Sequence, residues 1–186
     1  MGETYNLQTA WQVRQAHFPP QIIFANPADT AVISLTGTWC ALNCAHCGRH
    51  YLRHMTPIGA VNPQELTAPS CLISGGCDKE GRVPVMAHLE QVAALRPGHR
   101  LNWHVGLIGE EEAQAIAPYV DVVSFDFVGD ERTIREVYGL DKSVADYEAS
   151  YRILRRYATV FPHLTVCLLY TSDAADEGLG VDLGGR

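Results

Sequence analysis

Short apolar runs alternate along the chain with longer amphipathic stretches. Residues 30–35 (Thr-Ala-Val-Ile-Ser-Leu) are β-branched and aliphatic, too short for a helix and apolar on both faces, as a central strand of a parallel sheet should be. Comparable runs follow at 70–74, closed by Gly75-Gly76, at 101–105, closed by Gly106, and at 121–127, closed by Gly129; a fifth begins at His163. Between them lie helical patterns. Residues 83–95 place Val85, Met86, Leu89, Val92, Ala93 and Leu95 at helical spacing, and 110–117 and 143–157 behave similarly, with Ser143 as an N-cap. A further short helix is predicted at 7–16, stopped by Pro19-Pro20. Strands alternating with helices build a parallel sheet with right-handed crossovers. No Gly-x-Gly-x-x-Gly follows any strand, so the pattern favours a barrel-like curl over a flat, doubly wound sheet.

Composition narrows the class. With 186 residues, 47% of them apolar, the chain can bury one core and should be a single domain or most of one. No apolar run approaches the roughly 18 residues that a membrane-spanning helix needs, and no charged and apolar export leader opens the chain, so a soluble cytoplasmic protein is expected. The net charge of −7 argues against a nucleic-acid binder, which needs a basic face. The stretch from Cys167 reads Cys-Leu-Leu-Tyr-Thr-Ser-Asp-Ala-Ala-Asp-Glu and then turns glycine-rich, and it resembles a translated sequencing-library adapter. The expected division is therefore a lead-in at 1–29, a core at 30–166 and a non-native disordered tail at 167–186. The tail holds Asp173, Asp176, Glu177 and Asp182 against Arg186, which leaves the core only mildly acidic.

The chemistry concentrates in a loop after the first strand. Cys40, Cys44 and Cys47 are spaced C-x3-C-x2-C. A four-iron cluster takes one thiolate per iron, so three clustered thiols leave one iron for another ligand. Zinc is the alternative, because His46, His50 and His54 could complete a tetrahedron; against it, zinc ligands usually come as two separated pairs. Disulfides are the least expected use of the six cysteines in a cytoplasmic chain. In α/β folds chemistry gathers at the carboxyl ends of strands. Those ends carry the cysteine loop, Ser74-Gly75-Gly76-Cys77-Asp78, His104-Val105-Gly106 and Ser124-Phe125-Asp126. His104 and Asp126 should project into the mouth, although a backbone-bonded histidine and a capping aspartate are the commoner cases. Cys71, inside an apolar strand, reads as a small buried hydrophobe. Glu110, Glu111 and Glu112 read as first-turn acids, and Arg152, Arg155 and Arg156 as a solvated helix face.

From about residue 30 to 166 these motifs resemble the radical S-adenosylmethionine (radical SAM) superfamily. The resemblance implies a partial (β/α) TIM-like barrel that breaks off in or after its fifth strand, and hence an inactive fragment. It also implies a [4Fe-4S] cluster on Cys40, Cys44 and Cys47 whose open iron chelates the methionine amino and carboxylate groups of SAM. His46 then occupies the usually aromatic position near the adenine. Ser74, Gly75 and Gly76 correspond to the turn that holds the methionine ammonium, with Cys77 in place of that turn's acid. Catalytic candidates are His104, Asp126 and Cys77. The segments Thr-Gly-Thr-Trp-Cys-Ala-Leu-Asn-Cys, Leu-Ile-Ser-Gly-Gly-Cys-Asp and Val-Val-Ser-Phe-Asp-Phe-Val-Gly-Asp look like the biotin-synthase-related group, some relatives of which form half of a two-component lipoyl synthase. That likeness implies hydrogen abstraction by a 5′-deoxyadenosyl radical and, by extension, sulfur insertion using a second cluster, for which Cys71 and Cys77 are candidates. The implied partners are an electron donor such as flavodoxin or ferredoxin, a partner subunit and a substrate that the motifs do not name.

Overall fold

The computed structural model describes residues 6–21, 29–157 and 163–166, the last four as backbone. Helix α1 (Leu7–His17) starts at Asn6, whose Oδ1 accepts the N–H groups of Gln8 and Thr9 at 3.0 and 3.3 Å, and it buries none of its side chains. Strand β1 (Thr30–Ser34) leads into the cysteine loop, a two-residue strand β2 (Thr56–Pro57) and strand β3 (Ser70–Ser74). There follow α2 (Leu89–Ala93), β4 (Arg100–His104), α3 (Glu110–Ile116), β5 (Val122–Phe125), α4 (Glu131–Thr133), α5 (Val144–Arg156) and β6 (His163–Val166).

All pairings are parallel, in the order β2-β1-β3-β4-β5-β6. From β1 onward each full-length strand adds beside its predecessor, so the order never reverses, and right-handed crossovers of one sense place their helices on one face. Among the described residues the sheet is open, with β2 and β6 at its two edges. Alternation along the strands sorts the side chains accordingly. Ile33, Cys71, Ile73, Leu101, Trp103, Val123 and Phe125 are buried in one core with Val92, Ala113, Ile116 and Leu154 from the helices. Trp103 satisfies its indole N–H on the Tyr119 carbonyl at 2.9 Å. On the opposite face Val32, Leu72, Asn102 and Ser124 line a cleft of about 790 Å³. The expectation of a first strand covered on both faces is thus corrected: Val32 is 38% exposed, and among the described residues no helix packs over that side of the sheet.

The helical pattern at 83–95 yields only a 3₁₀ turn at Val85–His88 and the short α2, because His88 adopts a non-helical φ of −131° between them. The run at 121–127 pairs only as far as Phe125, and Asp126 already lies beyond the ladder. No α-helix fills the crossover from β1 to β3, which holds the cysteine loop, 3₁₀ turns and β2. At α5 the capping signal is real but works in the other direction from a serine cap. Asp146 Oδ2 reaches back to accept the Ser143 N–H and hydroxyl at 2.8 and 2.7 Å. The acids of α3 do more than complement its dipole: Glu112 accepts the Gly109 N–H at 2.7 Å, and Glu110 pairs with Arg156 and accepts the Tyr157 hydroxyl. Among the described residues no helix is long and apolar enough to cross a membrane. The tail at 167–186 and most of the lead-in's flanks lie outside the described residues.

Candidate functional site

The cysteine loop is an extension of the β1–β3 pairing. Past the strand ends the Leu35 N–H still donates to the Ser74 carbonyl at 2.7 Å, the Gly76 N–H to Thr36 Oγ1 at 2.7 Å, and the Ala41 N–H to the Cys77 carbonyl at 2.8 Å. Two chain segments are thereby locked together at the carboxyl end of the sheet. Gly76 is required by that contact. A Cβ there would sit 1.9 Å from the Trp39 carbonyl oxygen and 2.6 Å from the Cys40 Cβ, whereas a Cβ on Gly75 would meet only Thr36 and Leu35 at 3.1–3.4 Å. Neither glycine has a positive φ. The close approach that demands glycine at position 76 is therefore to the cysteine loop itself.

Three strand-end segments and the loop bring the chemistry into one place. Cys40, Cys44, His46, Cys47, Ser74, Gly75, Gly76, Cys77, His104, Ser124 and Asp126 all line the same cleft. Cys71 does not: it faces the helix-covered core at 0% exposure, so it takes no part in the site and the pairing of Cys71 with Cys77 around a second cluster is corrected. The Cys40 Sγ accepts the Cys77 N–H at 3.3 Å, and the Cys44 thiol donates to the Tyr138 carbonyl at 3.6 Å. Burial, reinforced by the neighbouring Cys40 and Cys47 charges, pushes the Cys44 thiol up to about 11. Burial does the same to Cys77, up to about 12, with help from Cys40, Cys44, Asp78 and Asp126. Both thiols are therefore held in the protonated form near neutrality.

Among the described residues no three His, Cys, Asp or Glu side chains converge on the position of one metal ion. His50 and His54 lie ring to ring at 4.9 Å.

His46 packs against Tyr138 with ring centroids 4.8 Å apart, and burial lowers its pKa against the pull of Asp126. Deeper in the cleft Ser74 Oγ lies 3.1 Å from His104 Nδ1, and His104 Nε2 lies 3.2 Å from Asp126 Oδ2. Asp126 thus serves His104, while the cap of α4 is Asp130, which accepts the Thr133 N–H at 2.7 Å. The Asp126 pairing overcomes the burial that would otherwise depress His104, and its pKa ends above the ordinary histidine value.

Several lining residues carried no signal in the sequence. Tyr138 closes a π-helical turn at Ile134–Tyr138 packed beside the cysteines, a local geometry that often marks functional sites. Tyr147 enters from α5, and Asn102 accepts the Ser124 hydroxyl at 3.0 Å on the cleft floor. Arg49, at φ +62°, is a non-glycine residue in the left-handed region, and its Nε donates to the Leu42 carbonyl at 3.0 Å, bracing the loop across Cys44 and Cys47. The C-x3-C-x2-C spacing was the readable part; the brace was not.

No protein-family model matches this chain, and no curated protein matches it.

Proposed function

We propose that the cleft is the active site of a radical SAM enzyme and that Cys40, Cys44 and Cys47 hold a [4Fe-4S] cluster there. The observation that carries the reading is the convergence of three loop thiols, the Gly75-Gly76 strand exit and the polar ends of β4 and β5 on one open face of a parallel sheet. When bound, such a cluster supplies the electron that splits SAM into methionine and a 5′-deoxyadenosyl radical, which abstracts hydrogen from a substrate. The protein's own part is to hold and orient. Cys77 donates its backbone N–H to one thiolate, His46 and Tyr138 offer ring faces beside the loop, and Gly76 leaves the room that the Trp39–Cys40 segment occupies. The open face of the sheet, with Val32 and Leu72 apolar and Asn102 and Ser124 polar, receives the rest of the ligands. A half-barrel of the (β/α) type fits the one-sided helix layer, and a one-electron donor such as flavodoxin or ferredoxin is the implied partner. Sulfur insertion is the finer reading, with Cys77 the only non-loop thiol among the described residues that lines the cleft.

The test is anaerobic reconstitution of the full chain with iron and sulfide. Expected are a brown protein with about four irons, taking a four-iron cluster as the unit, and loss of that iron in Cys40→Ala, Cys44→Ala and Cys47→Ala, with Cys71→Ala unaffected. A colourless protein holding one zinc per chain would instead establish a structural or interaction module on the same scaffold. Full iron content in Cys44→Ala would remove the cluster assignment altogether.

A further inference from the structure

Ser74, His104 and Asp126 come from three adjacent strand ends and form one continuous hydrogen-bond chain along the cleft wall, Oγ to Nδ1 at 3.1 Å and Nε2 to Oδ2 at 3.2 Å. The geometry fixes what each atom can do. An ionised Asp126 only accepts, so Nε2 carries a hydrogen in either charge state of the imidazole. Nδ1 is therefore the atom that gains or loses the proton. When His104 is neutral, Nδ1 accepts, the Ser74 hydroxyl donates to it, and Ser74 shows only lone pairs to the cleft. When His104 is charged, Nδ1–H donates to Ser74 Oγ, and the hydroxyl hydrogen must turn away, toward the cleft.

We infer that this chain is a proton-switched recognition element, in which charged His104 turns Ser74 into a donor for the carboxylate of a ligand whose apolar part lies on Val32 and Leu72. The inference rests on the proposed function only in taking this cleft as the ligand site; it needs neither iron nor SAM. Val32 and Leu72 supply the apolar floor next to Ser74 on β1 and β3. Several groups among the described residues face the relay. Asp126 arrives from just beyond β5, Cys77 from beyond β3, His46 from the cysteine loop and Tyr147 from α5, and each of the last three feels the Asp126 charge. Asp126 is thus the acid that balances His104, and it leaves the Ser74 end of the chain electropositive when the imidazole is charged. Ser74 is a ligand-contacting group, while His104 and Asp126 are positioning residues that act through it.

The sign follows from the linkage. A histidine whose folded pKa is raised stays charged to higher pH than a free one, so carboxylate recognition is present from about pH 5, where an ordinary aliphatic carboxylic acid ionises, and is lost as pH rises through the folded pKa of His104.

The experiment uses the full chain, reduced and iron-free, with hexanoate as probe and hexanamide as its uncharged counterpart, followed by NMR of the labelled histidine rings. Hexanoate should bind with a pH midpoint that coincides with the His104 titration, and hexanamide should show no such dependence. Asp126→Asn should lower both the His104 pKa and the binding midpoint together. Ser74→Ala should weaken hexanoate by roughly tenfold, the worth of one charge-assisted hydrogen bond, while leaving the His104 titration in place. That split is one a merely structural role would not produce. Adding SAM separates two sources of the carboxylate: displacement of hexanoate assigns the position to the methionine end of SAM, and simultaneous binding assigns it to the second substrate. Hexanoate affinity that ignores the His104 titration in the unmodified chain, or that survives Ser74→Ala unchanged, overturns the proposal. Because no iron is present, neither result bears on the cluster, and failure to assemble a cluster would leave this test intact.

Discussion

At the scale of single residues, position 76 is where sequence and structure press hardest on each other. A methyl group there would fall within 3 Å of three atoms of Trp39 and Cys40, contacts that real side chains do not make. Gly76→Ala should therefore push the cysteine loop off β3, with loss of iron uptake and a fall in thermal stability of about 2 kcal/mol or more. Gly75→Ala faces only the flexible Thr36 side chain and Leu35 N at 3.1–3.4 Å and should keep iron with a loss of under about 1 kcal/mol. Parallel iron assays and melting curves on the two variants check this, and equal behaviour would defeat it. The loop cysteines were legible because their spacing is a local property of the chain. The Ser74–His104–Asp126 alignment was not, since its members lie 30 and 22 residues apart and meet only through strand register, which one sequence does not encode visibly. Arg49 is illegible for another reason: nothing in its neighbours announces a left-handed backbone at a non-glycine residue.

At the scale of elements, the strands were readable and the short helices were not. Residues 70–74 match β3 to the residue because an apolar run ends in two glycines, whereas α2 shrinks to five residues because His88 breaks the dihedral pattern without altering hydrophobic periodicity. The π-turn before Gly139 shares its composition with an ordinary helix and differs only in its hydrogen-bond ladder. The start of α5 offers a measurable consequence. Hydrogen bonds from Ser143 hold the Asp146 carboxyl below its usual range. A depressed folded pKa means that the contribution to stability is present above the unfolded carboxylate pKa, near 3.9, and is lost as pH falls through the folded value. Solvent screens this exposed group, so Asp146→Ala should cost under about 1 kcal/mol at pH 7. That difference should disappear in acid unfolding measurements below about pH 3; a cost unchanged by pH would mean that helix propensity, not the cap, is responsible.

At the scale of the whole molecule, the two faces of the sheet have different work. The helix side buries Trp103, Ile73, Val123 and Phe125 at or below 1% exposure, and Trp103→Ala there should cost about 3–5 kcal/mol. The cleft side tolerates change, because Leu72 is only partly covered, and Leu72→Ala should cost under about 1.5 kcal/mol while altering ligand binding. Urea titrations on both variants, read at constant m-value, separate these outcomes; similar costs would mean that the cleft face is packed in solution. The bonds that tie residues 35–41 to residues 74–77 carry a last consequence, and it concerns the order of events. Cys40 and Cys77 are 37 residues apart in sequence, and β3 must find β1 before Gly76 and Cys77 can clasp the loop. Closing a segment of that length is an entropic cost that the sheet meets through its own packing. If the loop takes the proposed cluster, loading is then expected as a late act on a finished scaffold rather than the event that folds it, unlike metal binding in small zinc domains. The iron-free chain should accordingly melt cooperatively by calorimetry, and iron should be taken up by refolded chain and refused by chain held in urea.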